Sequence, residues 1–404
     1  MLKKQILSMI IIILIILTPV LSIGIDTIPV WKSNNTVQTV TTNKDTTVDL
    51  KLESASGIVI EQNSGKILYE HNIHEKLRPA SVTKVMSILL ILEAIDDGRI
   101  TLEDKVPCSE TARGMGGSQI WLNENEELTV HEMLKAICVV SANDCTVAMA
   151  EFIAGSEEMF VKQMNDRAKS LGMNDTNFIN SHGIDEEGHV TSAYDIALMS
   201  RELLKNHPMI IEYTKIWMDT LRDGKSELVN TNKLVRNYSG ATGLKTGSTS
   251  LALFNLSASA TRDNMSLIAV IMKGNTSDIR FNEAKKLLDY GFSNYTYKKI
   301  ETEGENKREV SVLKGVKNVV EVTLEEEKGV LVKKGEEKNI LENVILNKEI
   351  NAPVRIGDKL GEILYTVEGA EVLKVNLVAK ENVNKLSIGS MVAHVYNTWF
   401  RLMR

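Results

Sequence analysis

Residues 81–95 read SVTKVMSILLILEAI, an apolar stretch that opens with a serine and a lysine three positions apart. Its apolar residues fall on nearly every face of a helix of this length. Asp96, Asp97 and Gly98 then end the run. A helix that is apolar all round packs inside a domain on every side. The sequence therefore predicts a buried central helix with other elements layered around it.

The sequence on both sides of this helix supplies those layers. Two short apolar runs around Asn63-Ser64-Gly65 predict a β-hairpin over residues 57–69. Apolar periodicity predicts further elements, namely helices at 129–140, 144–154, 157–171 and 193–205, strands at 251–261 and 265–273, and a helix at 279–290. Strands, then helices, then strands predict an α/β layered domain over residues 50–296.

The pattern changes after Tyr297. Residues 301–350 hold 12 acidic and 9 basic side chains, interleaved with alternating runs such as Val319–Leu324 and Val330–Lys333. Turn signals recur at Lys334-Gly335 and Ile356-Gly357. Short alternating strands with frequent turns predict a small all-β domain over residues 297–384. This region holds no catalytic constellation, so we expect it to act as an adapter or spacer.

The N-terminus has the pattern of a targeting segment. Lys3 and Lys4 precede residues 5–25, which carry no charge, and small residues follow at Ser22 and Gly24. This pattern predicts an export signal over residues 1–24. The alternative is an uncleaved anchor, because about 20 apolar residues can span a bilayer. Residues 25–49 are polar and rich in threonine, which predicts a linker.

The last twenty residues, 385–404, form a second amphipathic feature. Apolar side chains recur there at helical spacing, at Ile388, Met391, Val392, Val395, Trp399 and Leu402. Arg401 and Arg404 lie at the end, and an apolar face with Trp and terminal arginines is typical of a helix at a membrane surface. The alternative is a terminal helix that packs on its own domain. With the export signal, we expect a protein at the outer face of a bacterial cytoplasmic membrane, in the cell wall space.

Composition narrows the possible partners. The 404 residues include 47 Lys and Arg against 53 Asp and Glu, a net charge of −6, which argues against nucleic acid as the main partner. Three cysteines, Cys108, Cys138 and Cys145, are too few and odd in number for a disulfide framework. Histidines and cysteines show no zinc-site spacing. We therefore expect that the protein binds neither nucleic acid nor a metal ion.

Three short motifs carry the chemistry, and their order makes them specific. Ser81-Val82-Thr83-Lys84 comes first, Ser141-Ala142-Asn143 follows 60 residues later at a break between helices, and Lys245-Thr246-Gly247 lies 104 residues further on, ahead of a predicted strand. Single copies mean little, because Ser-x-x-Lys recurs at Ser311–Lys314 and Ser-x-Asn at Ser33–Asn35.

The first motif suits a nucleophile and its base. Residues three apart share a helix face, so Lys84 can reach the Ser81 hydroxyl. A lysine acts as a base when burial or a second cation lowers its pKa, and Lys245 is a candidate for that cation. The alternative is an N-cap serine with an exposed lysine. That alternative conflicts with an apolar helix and with a cation at a helix N-terminus.

This ordered triple resembles the penicillin-recognising serine D,D-peptidases and serine β-lactamases, above all the low-molecular-mass D-alanyl-D-alanine carboxypeptidases. The resemblance covers nearly the whole chain, including the terminal segments and the β-rich region. Supporting stretches are Gly117–Leu122, Asn180–Gly183 and Gly243–Ser248. It implies a β-lactamase-like catalytic domain, an antiparallel sheet with helices on both sides. It also implies that no metal or organic cofactor is needed.

The resemblance implies a role for each matched residue. Ser81 attacks the carbonyl between the last two D-alanines of a peptidoglycan stem peptide, Lys84 is its general base, and Ser141 relays a proton to the leaving amine. Asn143 holds the substrate amide. Lys245 and Thr246, with Gly247 in the same motif, handle the terminal carboxylate, and Arg280 is a second contact for it. The backbone N–H groups of Ser81 and Ser248 form the oxyanion hole. β-Lactam antibiotics would be covalent inhibitors.

Two of these positions remain open. Ser248 departs from the histidine common in the family, so carboxylate binding there is less defined. Arg280 precedes the helical stretch Glu283–Leu288, and a surface helix cap is its alternative.

Two other functions share these motifs. A class A β-lactamase carries a Glu-x-x-x-Asn deacylation loop between the second and third motifs. No such pattern occurs between Asn143 and Lys245, and a β-lactamase does not explain the C-terminal extension. A non-catalytic peptidoglycan-binding or scaffold protein on the same fold has little reason to keep all four of Ser81, Lys84, Ser141 and Lys245.

Overall fold

The computed structural model describes residues 49–300, 308–325, 329–387 and 389. The predicted export signal, the linker up to residue 48 and the predicted C-terminal helix from residue 390 onward lie outside the described residues. In the described part of the chain, no helix is both long and apolar enough to cross a membrane.

The central helix is α1, Lys84–Asp96, and ten of its thirteen residues are buried. A 3₁₀ turn, Ala80–Thr83, leads into it. The sequence predicted that Ser81 opens the α-helix, but Ser81 lies in this 3₁₀ turn, one turn before the helix begins. Ala80 has φ +48°, so the chain enters the turn through a sharp change of direction.

A five-stranded antiparallel sheet packs against α1. Its order is β2-β1-β9-β8-β7, with bounds β1 Ser56–Glu61, β2 Ile67–His71, β7 Ala241–Thr249, β8 Leu253–Arg262 and β9 Met265–Gly274. Alternate residues of each strand point to opposite faces. Ile58 and Ile268 join the core around α1, whereas Val59 and Leu267 join a second core.

Helices cover both faces of this sheet. On one face lie α1 and α6, Ala193–Asn206, and on the other lies α9, Ser277–Asn294. The predicted α/β class, an antiparallel sheet between helices, is confirmed. The predicted hairpin, helices and strands are all present, with ends that differ by a few residues.

The segment between α1 and α6 is mainly helical. Its helices are α2 Glu110–Arg113, α3 Val130–Val139, α4 Asn143–Ala154 and α5 Glu157–Ser170. A short pair, β3 Lys105–Pro107 and β4 Glu127–Thr129, precedes α3. After α6 come α7 Ile210–Thr214, the hairpin β5 Met218–Leu221 and β6 Ser226–Val229, and α8 Leu234–Asn237.

One strand was not predicted. Lys245-Thr246-Gly247 precedes strand β8, as expected, but the motif itself belongs to strand β7, which pairs with β8 along its length. Arg280 lies within the helix predicted at 279–290, and this helix, α9, begins at Ser277 with the Thr276 side chain as its N-cap. The sequence of α9 has polar residues in its first turn, so its start is marked by the cap and not by apolar periodicity.

The C-terminal part is all-β, as predicted. Strand β10, Tyr295–Lys299, pairs with β13, Gly329–Lys333. A six-stranded sheet has the order β14-β16-β17-β12-β11-β15, with bounds β11 Arg308–Leu313, β12 Val319–Leu324, β14 Ile340–Leu346, β15 Glu349–Asn351, β16 Lys359–Val367 and β17 Ala370–Ala379. A 3₁₀ turn covers Glu337–Asn339. The core of this C-terminal part is a separate apolar cluster that includes Val320, Leu360 and Leu377.

Candidate active site

Ser81 and Lys84 meet at the start of α1. Lys84 Nζ lies 3.1 Å from Ser81 Oγ. It also donates to Asn143 Oδ1 at 2.6 Å and to the carbonyl oxygen of His182 at 2.7 Å. A neutral amine has two N–H groups and one lone pair. With both N–H groups taken by these oxygens, the lone pair of neutral Lys84 is left for the hydroxyl hydrogen of Ser81.

The surroundings of Lys84 favour that neutral form. Its side chain is fully buried, and burial lowers its pKa well below the usual range. The charge of Lys245 lowers the pKa further, and Asp144 opposes this in part. Burial disfavours the charged form of an amine because the interior solvates it poorly. A lysine with a lowered pKa can accept a proton at neutral pH.

The second motif lies in the turn between α3 and α4. Ser141 has φ +69°, and its buried Oγ has no hydrogen-bond partner among the described residues. Buried hydroxyls rarely lack partners, and such atoms concentrate at functional sites. Asn143 begins α4, and its Nδ2 donates to Gly116 O at 2.6 Å while its backbone N donates to Ser118 O at 2.7 Å. The structure thus brings Asn143 into direct contact with Lys84 and leaves the Ser141 hydroxyl without a hydrogen-bond partner among the described residues.

Strand β7 places the third motif beside the Ser81 turn. A Cβ added to Gly247 would lie 2.9 Å from Ser81 N and 2.7 Å from Pro79 O, so only glycine allows this approach. Lys245 is fully buried and donates to Thr246 O at 2.9 Å. Burial, and to a lesser degree Arg280, lowers the pKa of Lys245 to about 7, although Cys138 acts in the opposite sense. Ser248 is exposed at the end of this run.

Thr246 and Arg280 make the remaining side-chain contacts around strand β7. Thr246 Oγ1 is 2.7 Å from Thr231 Oγ1. Arg280 Nη1 donates at 3.2 Å to both Gly247 O and Asn255 O, and its guanidinium lies over the rings of Phe254 and Phe281. Burial lowers the pKa of Arg280 to about 10, so it remains a cation at neutral pH. It adds positive potential behind β7.

The loop that contains the Asn180–Gly183 stretch and His189 packs against the Ser81 turn. Gly183 has φ +90°, and a Cβ there would overlap the carbonyl oxygen of Ala80. His189 Nδ1 accepts from the N–H of Ile179 at 3.0 Å, so its Nε2–H donates to Thr83 Oγ1 at 2.8 Å. Burial lowers the pKa of His189 to about 4, which keeps it neutral.

Two contacts of this site were missed from the sequence. The carbonyl oxygen of His182 holds Lys84, and a backbone oxygen has no signature in the choice of residue. The buried carboxylate of Asp144 accepts from the N–H groups of Ile120 and Leu122, both at 3.1 Å. An aspartate in an otherwise mainly apolar helical stretch, next to Asn143, is the sequence signal that could have indicated its role.

Known families match both parts of the chain. Residues 39–276 match the family described as Peptidase_S11, D-alanyl-D-alanine carboxypeptidase. Residues 295–385 match the family described as penicillin-binding protein 5, C-terminal domain.

Characterised relatives match along most of the chain. The D-alanyl-D-alanine carboxypeptidase DacF of Bacillus subtilis is 43% identical over 87% of this chain and 92% of its own length. DacD of Escherichia coli is 32% identical over 86% and 91%. The crystal structure of penicillin-binding protein 5 from Haemophilus influenzae matches with a TM-score of 0.70 and 31% identity, over 83% of this chain and 98% of that chain. Penicillin-binding protein D2 of Listeria monocytogenes, solved in its ampicillin-bound form, matches with a TM-score of 0.56 and 29% identity, over 60% and 99%.

Proposed function

The chain belongs to the D-alanyl-D-alanine carboxypeptidase family of serine peptidases, and we propose that Ser81 is the nucleophile with which it removes the terminal D-alanine of peptidoglycan stem peptides. The activity is that of a serine-type D-Ala-D-Ala carboxypeptidase that binds penicillin. The observation that carries the residue assignment is the placement of Lys84 Nζ, 3.1 Å from Ser81 Oγ with its two N–H groups engaged elsewhere.

Acylation begins with a proton transfer. Neutral Lys84 takes the proton of Ser81, and Ser81 Oγ forms a bond to the carbonyl carbon between the two D-alanines. The carbonyl oxygen becomes an oxyanion, for which we assign the backbone N–H groups of Ser81 and Ser248 as donors. Gly247 supports this assignment, because its lack of a side chain lets β7 reach the backbone of the Ser81 turn.

Collapse of this intermediate releases D-alanine. The C–N bond breaks, Ser141 passes a proton to the leaving nitrogen, and the acyl group stays on Ser81 as an ester. The unpartnered Oγ of Ser141 supports this role. Water then hydrolyses the ester and restores Ser81. A β-lactam ring opens by the same first step but keeps its nitrogen attached, so the product blocks the site.

The substrate is held at both ends of the scissile bond. Asn143 binds the amide on the acyl side. Lys245, Thr246 and the positive potential of Arg280 receive the terminal carboxylate, since a cation with pKa about 7 and a buried guanidinium lie along the same strand. Carboxylate binding keeps the Lys245 amine protonated, which in turn holds Lys84 neutral.

The direct test is to map a labelled penicillin. We expect one covalent adduct, on Ser81, and release of D-alanine from a pentapeptide. Ser81→Ala should lose both, whereas Ser311→Ala, in the second Ser-x-x-Lys copy, should lose neither. An adduct on another residue would refute the assignment. Rapid penicillin hydrolysis without D-alanine release would favour the β-lactamase alternative, and no adduct and no release would favour the scaffold.

We also propose a location and a division of the chain. An enzyme acting on peptidoglycan works outside the cytoplasm, which supports export by residues 1–24 and action in the cell wall space. The proposed parts are a catalytic domain at 50–296, a β-rich domain at 297–384 and a membrane-surface helix at 385–404. Deletion of residues 385–404 should release the protein from membranes, and unchanged membrane association would refute the helix's role.

A further inference from the structure

One end of the C-terminal sheet presents apolar side chains to solvent. Three segments meet there, and we call them the tip, namely residues 313–318, 352–358 and 380–387. Val316 is 47% exposed and Ile356 is 64% exposed, in two different loops of the tip. Single exposed apolar residues are common on proteins, whereas a group of them on one surface marks contact with a partner.

Hydrogen bonds fix the two loops against the third segment. Val316 N donates to the carbonyl oxygen of Asn384 at 2.9 Å. Ile356 N donates to the side chain of Asn382 at 2.8 Å. These two asparagines are two residues apart, roughly 7 Å in an extended chain, so the loops are neighbours. The tip therefore presents its apolar side chains together from a tied backbone.

The charge of the tip is opposite to that of the whole chain. Its net charge is +3, against −6 for all 404 residues. Its charged residues are Lys314, Lys317, Arg355, Asp358, Lys380, Glu381 and Lys385. Lys317 is paired with Glu381, but no ion pair found among the described residues includes Lys314, Arg355 or Lys385. Exposed apolar side chains beside unpaired cations match a bilayer surface with anionic headgroups.

The chain leads from the tip directly into the segment proposed for the membrane surface, residues 385–404. Lys385, its first residue, forms a β-bridge with Gly315. Leu386 N donates to the carbonyl oxygen of Lys314 at 2.7 Å. One loop of the tip is thus hydrogen-bonded to the start of that segment. A membrane-surface helix beginning here brings the tip within a few residues of the lipid headgroups.

The other end of the same sheet faces the part of the chain that carries the candidate active site. Residues 371–373, at the start of β17, line one cavity together with Arg201 and Lys205 of α6. Strand β17 then runs for ten residues, roughly 30 Å, to Ala379, after which the tip begins. Contact of the tip with a membrane therefore leaves α6 well away from the bilayer.

We propose that the tip docks on a bilayer surface that carries anionic lipids. The side chains of Val316 and Ile356 enter the headgroup region, and the unpaired cations of the tip meet lipid phosphates. The assignment rests on the proposed function, because it takes residues 385–404 as a membrane-surface helix. The tip is a second attachment beside that helix, and two weak attachments together hold a protein on a membrane more stably than one.

The first test removes the apolar side chains. Residues 25–404, the chain without the proposed export signal, are sedimented with vesicles of phosphatidylcholine or of phosphatidylcholine and phosphatidylglycerol in equal parts. Val316→Gln with Ile356→Gln should lower the partition coefficient about tenfold on both kinds of vesicle. The matched control is Leu341→Gln with Ile345→Gln on β14, where the side chains are 63% and 46% exposed. This control should bind like the unsubstituted protein.

The second test removes charge. Lys314→Gln with Arg355→Gln should lower the partition coefficient about tenfold on vesicles that contain phosphatidylglycerol, and should leave binding to phosphatidylcholine unchanged. Lys359→Gln with Lys374→Gln removes the same charge from cations that already meet Glu362. It should leave binding to both kinds of vesicle unchanged.

Acylation by penicillin, measured on every variant, separates membrane binding from folding. Tip variants that are acylated normally and bind like the unsubstituted protein would overturn the proposal, as would equal losses in the matched controls. In both cases, binding by the unsubstituted protein leaves the membrane-surface helix standing. If the unsubstituted protein binds neither kind of vesicle but releases D-alanine, the tip and the helix are both wrong and the enzymatic assignment remains.

Discussion

The two large sheets of this protein differ in where their basic side chains lie. Beside the five-stranded sheet, Lys84, Lys245 and Arg280 are buried, and no ion pair found among the described residues includes them. On the C-terminal sheet, Lys359 and Lys374 are exposed and both meet Glu362, at 3.1 and 2.9 Å. Burying basic groups without an ion-pair partner destabilises a protein, and such groups occur where an amine must be reactive. Exposed pairs change neither reactivity nor stability much.

The same contrast holds for the two copies of Ser-x-x-Lys. Ser81 and Lys84 lie in a helical turn, where residues three apart share a face. Ser311 lies on strand β11, which ends at Leu313, and Lys314 follows in a turn with φ +57°, so the two residues share no helix face. Ser311 and Lys314 are both exposed. The spacing therefore has chemical meaning only in the helical context. Four predictions test the contrast between the two sheets.

The largest effect is expected at the general base. Lys84→Met keeps the side-chain length but removes the nitrogen, so acylation by penicillin should slow by about 10³-fold. Lys314→Met should leave the rate unchanged. Stopped-flow measurement of acylation checks both variants, and wild-type acylation by Lys84→Met would exclude lysine as the base.

Glycine substitutions should separate catalysis from stability. Gly247→Ala places a methyl group against the backbone of the Ser81 turn, so we expect acylation to slow by about 10²-fold as β7 shifts. Gly361→Ala places one 2.5 Å from the carbonyl oxygen of Ile345 in the C-terminal sheet. It should lower the melting temperature without changing the acylation rate of the folded protein. Equal kinetic losses in both variants would contradict this division.

The pH profile should report the buried lysine. Lys245 is a cation below its pKa of about 7 and loses its charge as the pH rises. Carboxylate binding needs that charge, so kcat/KM for D-alanine release should fall above pH 7, by up to tenfold per pH unit. Lys245→Arg should move this fall to higher pH. An unchanged kcat/KM up to pH 9 would show that Lys245 does not bind substrate as a cation.

The smallest effect is expected at the exposed pairs. Glu362 holds the pKa of Lys374 above its usual value, so this lysine stays charged throughout the pH range of the assay. Glu362→Ala should change neither the pH profile nor, beyond measurement error, the melting temperature, because water solvates both cations. A clear loss of stability, measured by calorimetry, would mean that the C-terminal sheet depends on surface charge after all.

The elements with strong local patterns were predictable. The central helix follows from its apolar run, and the helix break at Ser141 follows from the change in periodicity. Strand β7 was missed because Gly243, Lys245 and Gly247 give it no apolar alternation, and only pairing with β8 makes it a strand. Tertiary pairing overrides local preference at such positions.

The candidate site was predictable as a set of side chains but not as a network. The motifs identify Ser81, Lys84 and Asn143, and in the structure Lys84 contacts both of the other two residues. The carbonyl oxygens of Gly116 and His182 that hold them could belong to any residue type. Their positions depend on how loops from distant parts of the chain fold together, which no short motif records.

Gly183 has a consequence at the level of the gene. Every single-nucleotide missense change in a glycine codon introduces a Cβ atom, and every such atom would overlap the carbonyl oxygen of Ala80. The clash is with backbone, so no rotamer of the new residue relieves it. The codon for residue 183 is therefore one at which we expect selection for a working enzyme to retain only synonymous changes.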